Sequence, residues 1–274
     1  MASSVLVNVV AAIIPLCATV TVAAAVGATR PTWSAAARTV AVAASGCAAG
    51  MAGGVSLPGA AARWFASADA AVAERWIVGL ATPLGEEVGK ALPLLLLAAI
   101  GRLRGPRDGL LLGAAIAGVF AALESWVYGI QAREQLSTTG WLHSLLSRGL
   151  YGTVIHFGCT VGLGWILGVA QRSDRWWVIV ATPSLALTGA VGLHAGWNLA
   201  VAASVRGASG AFAATQLVAW MALFVWVYAV WRVNRPAARG PSSQAVGRGG
   251  GLGETASEHP PTGPSTARPT GGPG

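Results

Sequence analysis

Leu84-Gly85-Glu86-Glu87-Val88-Gly89-Lys90 sets three ionisable residues inside a run that is otherwise apolar from residue 76 to residue 100. A stretch of about 20 apolar residues suffices to cross a bilayer as a helix. A carboxylate or ammonium at mid-membrane costs roughly 2.5 to 3.5 kcal/mol on insertion scales, so charges persist there only with a partner or a task. The stretch therefore predicts a membrane-spanning helix with a polar site inside the membrane.

Composition agrees with that reading. The 274 residues are 54% hydrophobic and only 10% charged, against about 25% charged residues in soluble domains. The formal net charge is +8, but the arginines fall between apolar runs and in the C-terminal stretch. They are topology signals rather than a nucleic-acid face, and no nucleic-acid partner is expected. Cys17, Cys47 and Cys159 lie in apolar segments at unrelated spacings, which excludes a disulfide framework and a CxxC metal site. Lys90 is the single lysine, and Ala and Gly abound, the composition of a GC-rich bacterium. A multi-pass protein of the bacterial plasma membrane follows, with the lipid bilayer as its surroundings.

Outward from residues 76–100, further apolar runs cover residues 5–26, 35–57, 109–130, 150–170, 176–203 and 211–231. The expected fold is all-α: a polytopic transmembrane helix bundle of about seven spans with a disordered C-terminal tail. The first run is too long for a signal-peptide core and has no basic residue before it, so a retained helix is preferred to a cleaved signal. The second carries Gly46, Gly50 and Gly54 at four-residue spacing, a pattern that lets a neighbouring helix approach. Four segments result: residues 1–75 with two N-terminal spans and a loop, residues 76–203 as a four-helix catalytic core, residues 204–233 with the last span, and residues 234–274 as a Gly/Pro-rich tail. That tail buries too little apolar surface to offset its ordering entropy. Ten arginines, Arg38, Arg102 and Arg172 among them, flank one side of the spans and five the other. The positive-inside rule then puts the N-terminus outside and the C-terminus in the cytoplasm.

The remaining ionisable groups within the spans are Glu124, His156 and His194. Counted from the outer ends of their runs, Glu86, Glu124, His156 and His194 all lie roughly 10 to 15 Å deep at about 1.5 Å per residue. Glu86 with Lys90, Phe120 with Glu124, His156 with Thr160 and His194 with Asn198 are i, i+4 pairs, each on one helix face. Gly85, Gly89, Gly158, Gly162, Gly192 and Gly196 frame them and permit close helix approach. Pro83, Pro93 and Pro183 each remove a backbone donor, so kinking or unwinding near the site is expected.

Bland readings compete with this constellation. Glu86 and Lys90 would be a mere intrahelical ion pair, which leaves Glu87 and Glu124 without explanation. Either histidine alone would be a satisfied core residue, yet four helices present such groups at one depth. Thr160 can bond its own helix carbonyls, and Phe120 suits packing. His143 and His259 fall in a loop and the tail. Trp76, Trp141, Trp176, Trp177 and Trp231 sit near span ends as interfacial anchors.

Two histidines with one or two glutamates can supply the three protein ligands of a catalytic Zn2+ with an open position for water. A second glutamate would serve as general base, and Asn198 would orient His194 or donate to a developing oxyanion. A metal-free mechanism, in which a desolvated glutamate activates water directly, uses the same residues. Other protease chemistries fit worse: no HExxH occurs, no span interior holds aspartate, and Gly207-Ala208-Ser209-Gly210 sits in a loop.

The ordered set Glu86-Glu87-x-x-Lys90, Phe120-x-x-x-Glu124, His156-x-x-x-Thr160 and His194-x-x-x-Asn198 resembles the PrsW intramembrane proteases. These are related to CAAX-type prenyl endopeptidases and bacteriocin-processing homologues. The resemblance covers about residues 76–203. It implies that Glu86 and Glu87 activate the water, that Glu124, His156 and His194 complete the metal or catalytic site, and that Asn198 stands beside them. Lys90, Phe120, Ser125 and Thr160 support the site; Ser125 departs from the asparagine common in the family after that glutamate. Membrane-associated proteins are the implied substrates, with anti-sigma factors an example. The competing class is a proton- or cation-coupled transporter with Glu86, Glu87 and Glu124 as carriers, although no internal repeat supports it. A catalytically dead relative is disfavoured by the intact set of ligand-type residues.

Overall fold

In a bilayer the backbone must satisfy its own hydrogen bonds, which leaves helices as the solution for runs like these. The computed structural model describes residues 2–25, 33–135, 137, 141, 148–205 and 210–235. Among them the regular structure is helical throughout: α1 (Ala2–Ala25), α2 (Trp33–Trp64), α3 (Ala70–Trp76), α4 (Thr82–Ala99), α5 (Pro106–Gln135), α6 (Thr153–Ala170), α7 (Trp176–Val205) and α8 (Ala211–Asn234). Among the described residues, five helices are long and apolar enough to cross a membrane by length and composition. α4 carries three ionisable residues in its 18, and α1 adds the shorter apolar run Ile13–Ala24. Residues 236–274 of the predicted tail, His143, His259 and residues 207–209 of the loop motif lie outside the described residues, while Asn234 still belongs to α8.

α6 is the central helix, with 14 of its 18 residues buried. Its glycines explain how neighbours come so near. A methyl group on Gly109 of α5 would strike the carbonyl oxygen of Gly164, and one on Gly158 would meet Ala222 of α8. Backbones thus touch where side chains are missing, as small-residue membrane interfaces require. Apolar clusters fill the remaining space: Leu94, Leu112, Ile116 and Leu163 between α4, α5 and α6, and Leu110, Phe157 and Val161 on the other side of α6.

The helix ends have local causes. After α4 the chain reverses through Gly101 at φ +66°, while Arg102 and Leu103 donate N–H groups to the Leu97 carbonyl, as a left-handed helix cap does. Pro106 opens α5, and Asp108 in its first turn accepts the Arg104 N–H at 2.9 Å. Arg38 of α2 grips both Asp108 oxygens at 2.8 Å, tying α2 to this end of α5.

α4 and α6, which carry the candidate site, each follow a single π turn, Ile77–Ala81 and Arg148–Gly152. In both, the next residue is a threonine whose hydroxyl donates back to the turn: Thr82 to the Ile77 carbonyl at 3.0 Å, and Thr153 to that of Gly149. The irregularity expected from Pro83 is therefore a widened turn just before it. α2 runs through Pro58 to Trp64, beyond the end expected from its apolar run. Trp141 departs from its expected role as an anchor: it is 5% exposed, and its indole donates to the Gly129 carbonyl at 2.9 Å. Trp176 and Trp177, at 75% and 51% exposed, remain free to meet the interface.

Candidate active site

α4 presents Glu86, Glu87 and Lys90, α5 Phe120 and Glu124, α6 His156 and Thr160, and α7 His194 and Asn198. The four helices converge, and Glu86, Glu87, Lys90, His156 and His194 are all buried. Lys90 Nζ lies 2.5 Å from Glu87 Oε1 and 3.0 Å from His156 Nδ1. The other nitrogen of that ring, Nε2, lies 2.6 Å from Glu124 Oε2. His194 Nδ1 is 2.8 Å from Glu87 Oε1, whereas its Nε2 faces Glu86 Oε2 at 3.8 Å. The two imidazoles meet edge to face with centroids 5.1 Å apart. One polar cluster thus joins all four helices.

The supporting residues take specific places. Phe120 lies beneath the ammonium, with Lys90 Nζ 4.3 Å from its ring centroid, and also packs against His156 at 4.9 Å. Asn198 donates from Nδ2 to the Val78 carbonyl in the π turn at 3.2 Å, one helical turn from His194. Ser125 is buried beside Glu124. Thr160 is fully buried, but its hydroxyl has no hydrogen-bond partner, so it does not bond its own helix as threonines in helices often do.

α2 forms a wall of this site, a contribution its glycine spacing left indistinguishable from ordinary packing. An added Cβ on Gly50 would meet Phe120 and Lys90, and one on Gly54 would meet the Glu86 side chain. Gly53 and Gly85 stand backbone to backbone, as do Ala49 and Gly89. α2 therefore seals the carboxylates from one side with no side chain between.

The donor set suits a divalent ion. Glu86, Glu87, His156 and His194 each offer a ligand atom, all within 4.8 Å of one another. Glu86 Oε2 is buried without a hydrogen-bond partner, an unusual state for a side-chain oxygen. Its 3.8 Å separation from His194 Nε2 suits two ligands of one ion at bond lengths of about 2.0 to 2.2 Å. Lys90 occupies the space between Glu87 and His156, so Glu86 and His194 are the pair most open to a metal.

Fold and site together define a multi-pass membrane protein with a buried Glu/His centre able to bind a metal. The chain belongs to the PrsW family: the model described as PrsW family intramembrane metalloprotease matches residues 9–230. That match reaches beyond the four helices bearing the motifs to include α2, whose glycines line the cluster, and most of α8. No curated protein and no solved structure matches the chain.

Proposed function

We propose that this chain is an endopeptidase that hydrolyses peptide bonds of membrane-associated proteins near the bilayer surface. The observation that carries the reading is the free, buried Glu86 Oε2 facing His194 Nε2 in a cluster closed by α2. A carboxylate oxygen without a protein partner, shielded from bulk water, is equipped to accept a proton from a water molecule. Glu86 takes that proton as the water oxygen bonds to the scissile carbonyl carbon. It then returns the proton to the leaving nitrogen as the carbon–nitrogen bond breaks. One N–H of the Asn198 amide is engaged by Val78; the second is the candidate donor to the developing oxyanion.

In a metal-dependent version Glu86 and His194 would instead hold a divalent ion, with Glu124 and His156 completing the surroundings. Bound Zn2+ would supply Lewis-acid polarisation and a more acidic water. The metal-free version uses Glu86 alone as base. Anti-sigma-type membrane proteins are a substrate class to test first, with an external N-terminus, a cytoplasmic C-terminus and a bacterial plasma membrane as the setting.

The test is single-turnover cleavage of candidate membrane proteins by purified protein in liposomes, comparing wild type with His156→Ala and His194→Ala, with and without a zinc chelator. Cleavage lost in both variants supports the proposal, and chelator sensitivity separates the metal-dependent from the metal-free version. No cleavage, together with glutamate-dependent proton or cation flux in the same liposomes, would leave a transporter instead.

A further inference from the structure

Lys90 is fully buried, yet its ammonium is fully occupied. It has three N–H donors, and three acceptors surround it: Glu87 Oε1 at 2.5 Å, His156 Nδ1 at 3.0 Å and the face of Phe120 at 4.3 Å. An ammonium donates and never accepts, so Nδ1 of His156 must offer a lone pair. The ring proton of His156 then sits on Nε2, where it donates to Glu124 Oε2 at 2.6 Å. On the other histidine the order is reversed. Glu87 Oε1 accepts from His194 Nδ1–H at 2.8 Å, which turns Nε2 toward Glu86, at a distance too long for a hydrogen bond.

We infer that the Glu87–Lys90 pair is a positioning device that holds the two histidines in opposite tautomers. Lys90, with Glu124 opposite, makes His156 a hydrogen-bond donor through Nε2; Glu87 draws the His194 proton to Nδ1 and turns its Nε2 toward Glu86. The two imidazoles are chemically alike, and the sign of the charge facing Nδ1, Lys90 on His156 and Glu87 on His194, distinguishes them. Two consequences follow, given the hydrolytic reading of the cluster. Glu87 orients rather than activates water, which leaves Glu86 as the reacting carboxylate. His156, with its second nitrogen turned to a cation, is not a metal ligand, so an ion would rest on Glu86 and His194.

The tautomers can be read directly. Full-length protein with 15N-labelled histidine rings, in detergent micelles or lipid bilayers, gives ring nitrogen signals that distinguish a protonated from a bare nitrogen. Removing each histidine in turn assigns them. The expected result is a proton on Nε2 of His156 and on Nδ1 of His194. Because the Glu124 carboxylate at 2.6 Å also holds the proton on Nε2, Lys90 is isolated in Glu124→Ala, where it alone should keep that tautomer; in Glu124→Ala/Lys90→Met, His156 should exchange between tautomers. Because removing Lys90 strands the Glu87 charge, Glu124→Ala/Glu87→Gln/Lys90→Met is the companion: the glutamine oxygen still accepts from His194, so His194 should keep its pattern while His156 loses it. Like tautomers in the wild type, or a His156 that already exchanges in Glu124→Ala while Lys90 is present, would overturn the inference. These signals do not depend on turnover. Opposite tautomers in a protein that cleaves nothing would refute the protease reading alone, and cleavage by a protein with like tautomers would refute the positioning role alone.

Discussion

Three glycines on α2 and its end separate packing from catalysis. An added Cβ on Gly59 meets nothing within 4 Å, one on Gly53 would collide with the Gly85 backbone, and one on Gly54 would lie 2.8 Å from Glu86 Cγ. Alanine in place of helical glycine gains about 1 kcal/mol of intrinsic propensity. Gly59→Ala should therefore raise thermal stability slightly or leave it unchanged. At Gly53 the obstacle is backbone, and the helices must part; overpacking of this kind costs about 1 to 3 kcal/mol or more. At Gly54 the obstacle is a side chain able to rotate, so most of the stability should survive. Restoring ordinary contact requires Glu86 Cγ to move from 2.8 to at least 3.4 Å, a shift of about 0.6 Å. A misplacement approaching 1 Å in a catalytic group costs up to about 100-fold in rate. Thermal unfolding in detergent and substrate cleavage, measured on all three variants, should give a folded but slow Gly54→Ala, an unstable Gly53→Ala and an unaffected Gly59→Ala. Full activity in Gly54→Ala would refute the placement of Glu86 against α2.

The buried ion pair gives a second test. Glu87→Gln or Lys90→Met alone leaves an uncompensated buried charge and should cost about 3 to 5 kcal/mol, while the double variant recovers much of that in thermal unfolding. Arg38→Ala should lose about 1 kcal/mol of stability by cutting the Asp108 contacts at 2.8 Å, and cleavage by the folded fraction should be unchanged. Titration calorimetry with Zn2+ should show binding that is lost in both Glu86→Gln and His194→Ala, and binding unaffected by either substitution would place the ion elsewhere.

Much of this architecture was legible because the bilayer leaves few choices. Apolar runs forecast the long helices, and the common depth of Glu86, Glu124, His156 and His194 pointed to one cluster, within which Glu124 lies 2.6 Å from His156 and Glu86 3.8 Å from His194. What periodicity cannot reveal is which atom of a side chain faces which partner. Nothing in the spacing of Lys90 and His156 tells that the ammonium lies against Nδ1, because that depends on rotamers and on Phe120 beneath it. The part played by α2 was hidden for another reason. Gly46, Gly50 and Gly54 read alike, but Gly46 would meet Ile116 in the apolar core while Gly54 would meet Glu86. Trp141 shows the same limit: its position near a span end matched an anchor, but the Gly129 carbonyl gave its indole a buried partner.

The most direct test of the central claim compares wild type with Glu86→Gln on a purified membrane-protein substrate in liposomes, reading products by mass spectrometry. Glutamine keeps the shape of the side chain and removes its ability to take a proton. Wild type should yield two fragments whose masses sum to substrate plus one water, and Glu86→Gln should yield none while retaining the wild-type unfolding temperature within a few degrees. Cleavage at the wild-type rate by folded Glu86→Gln would contradict the account.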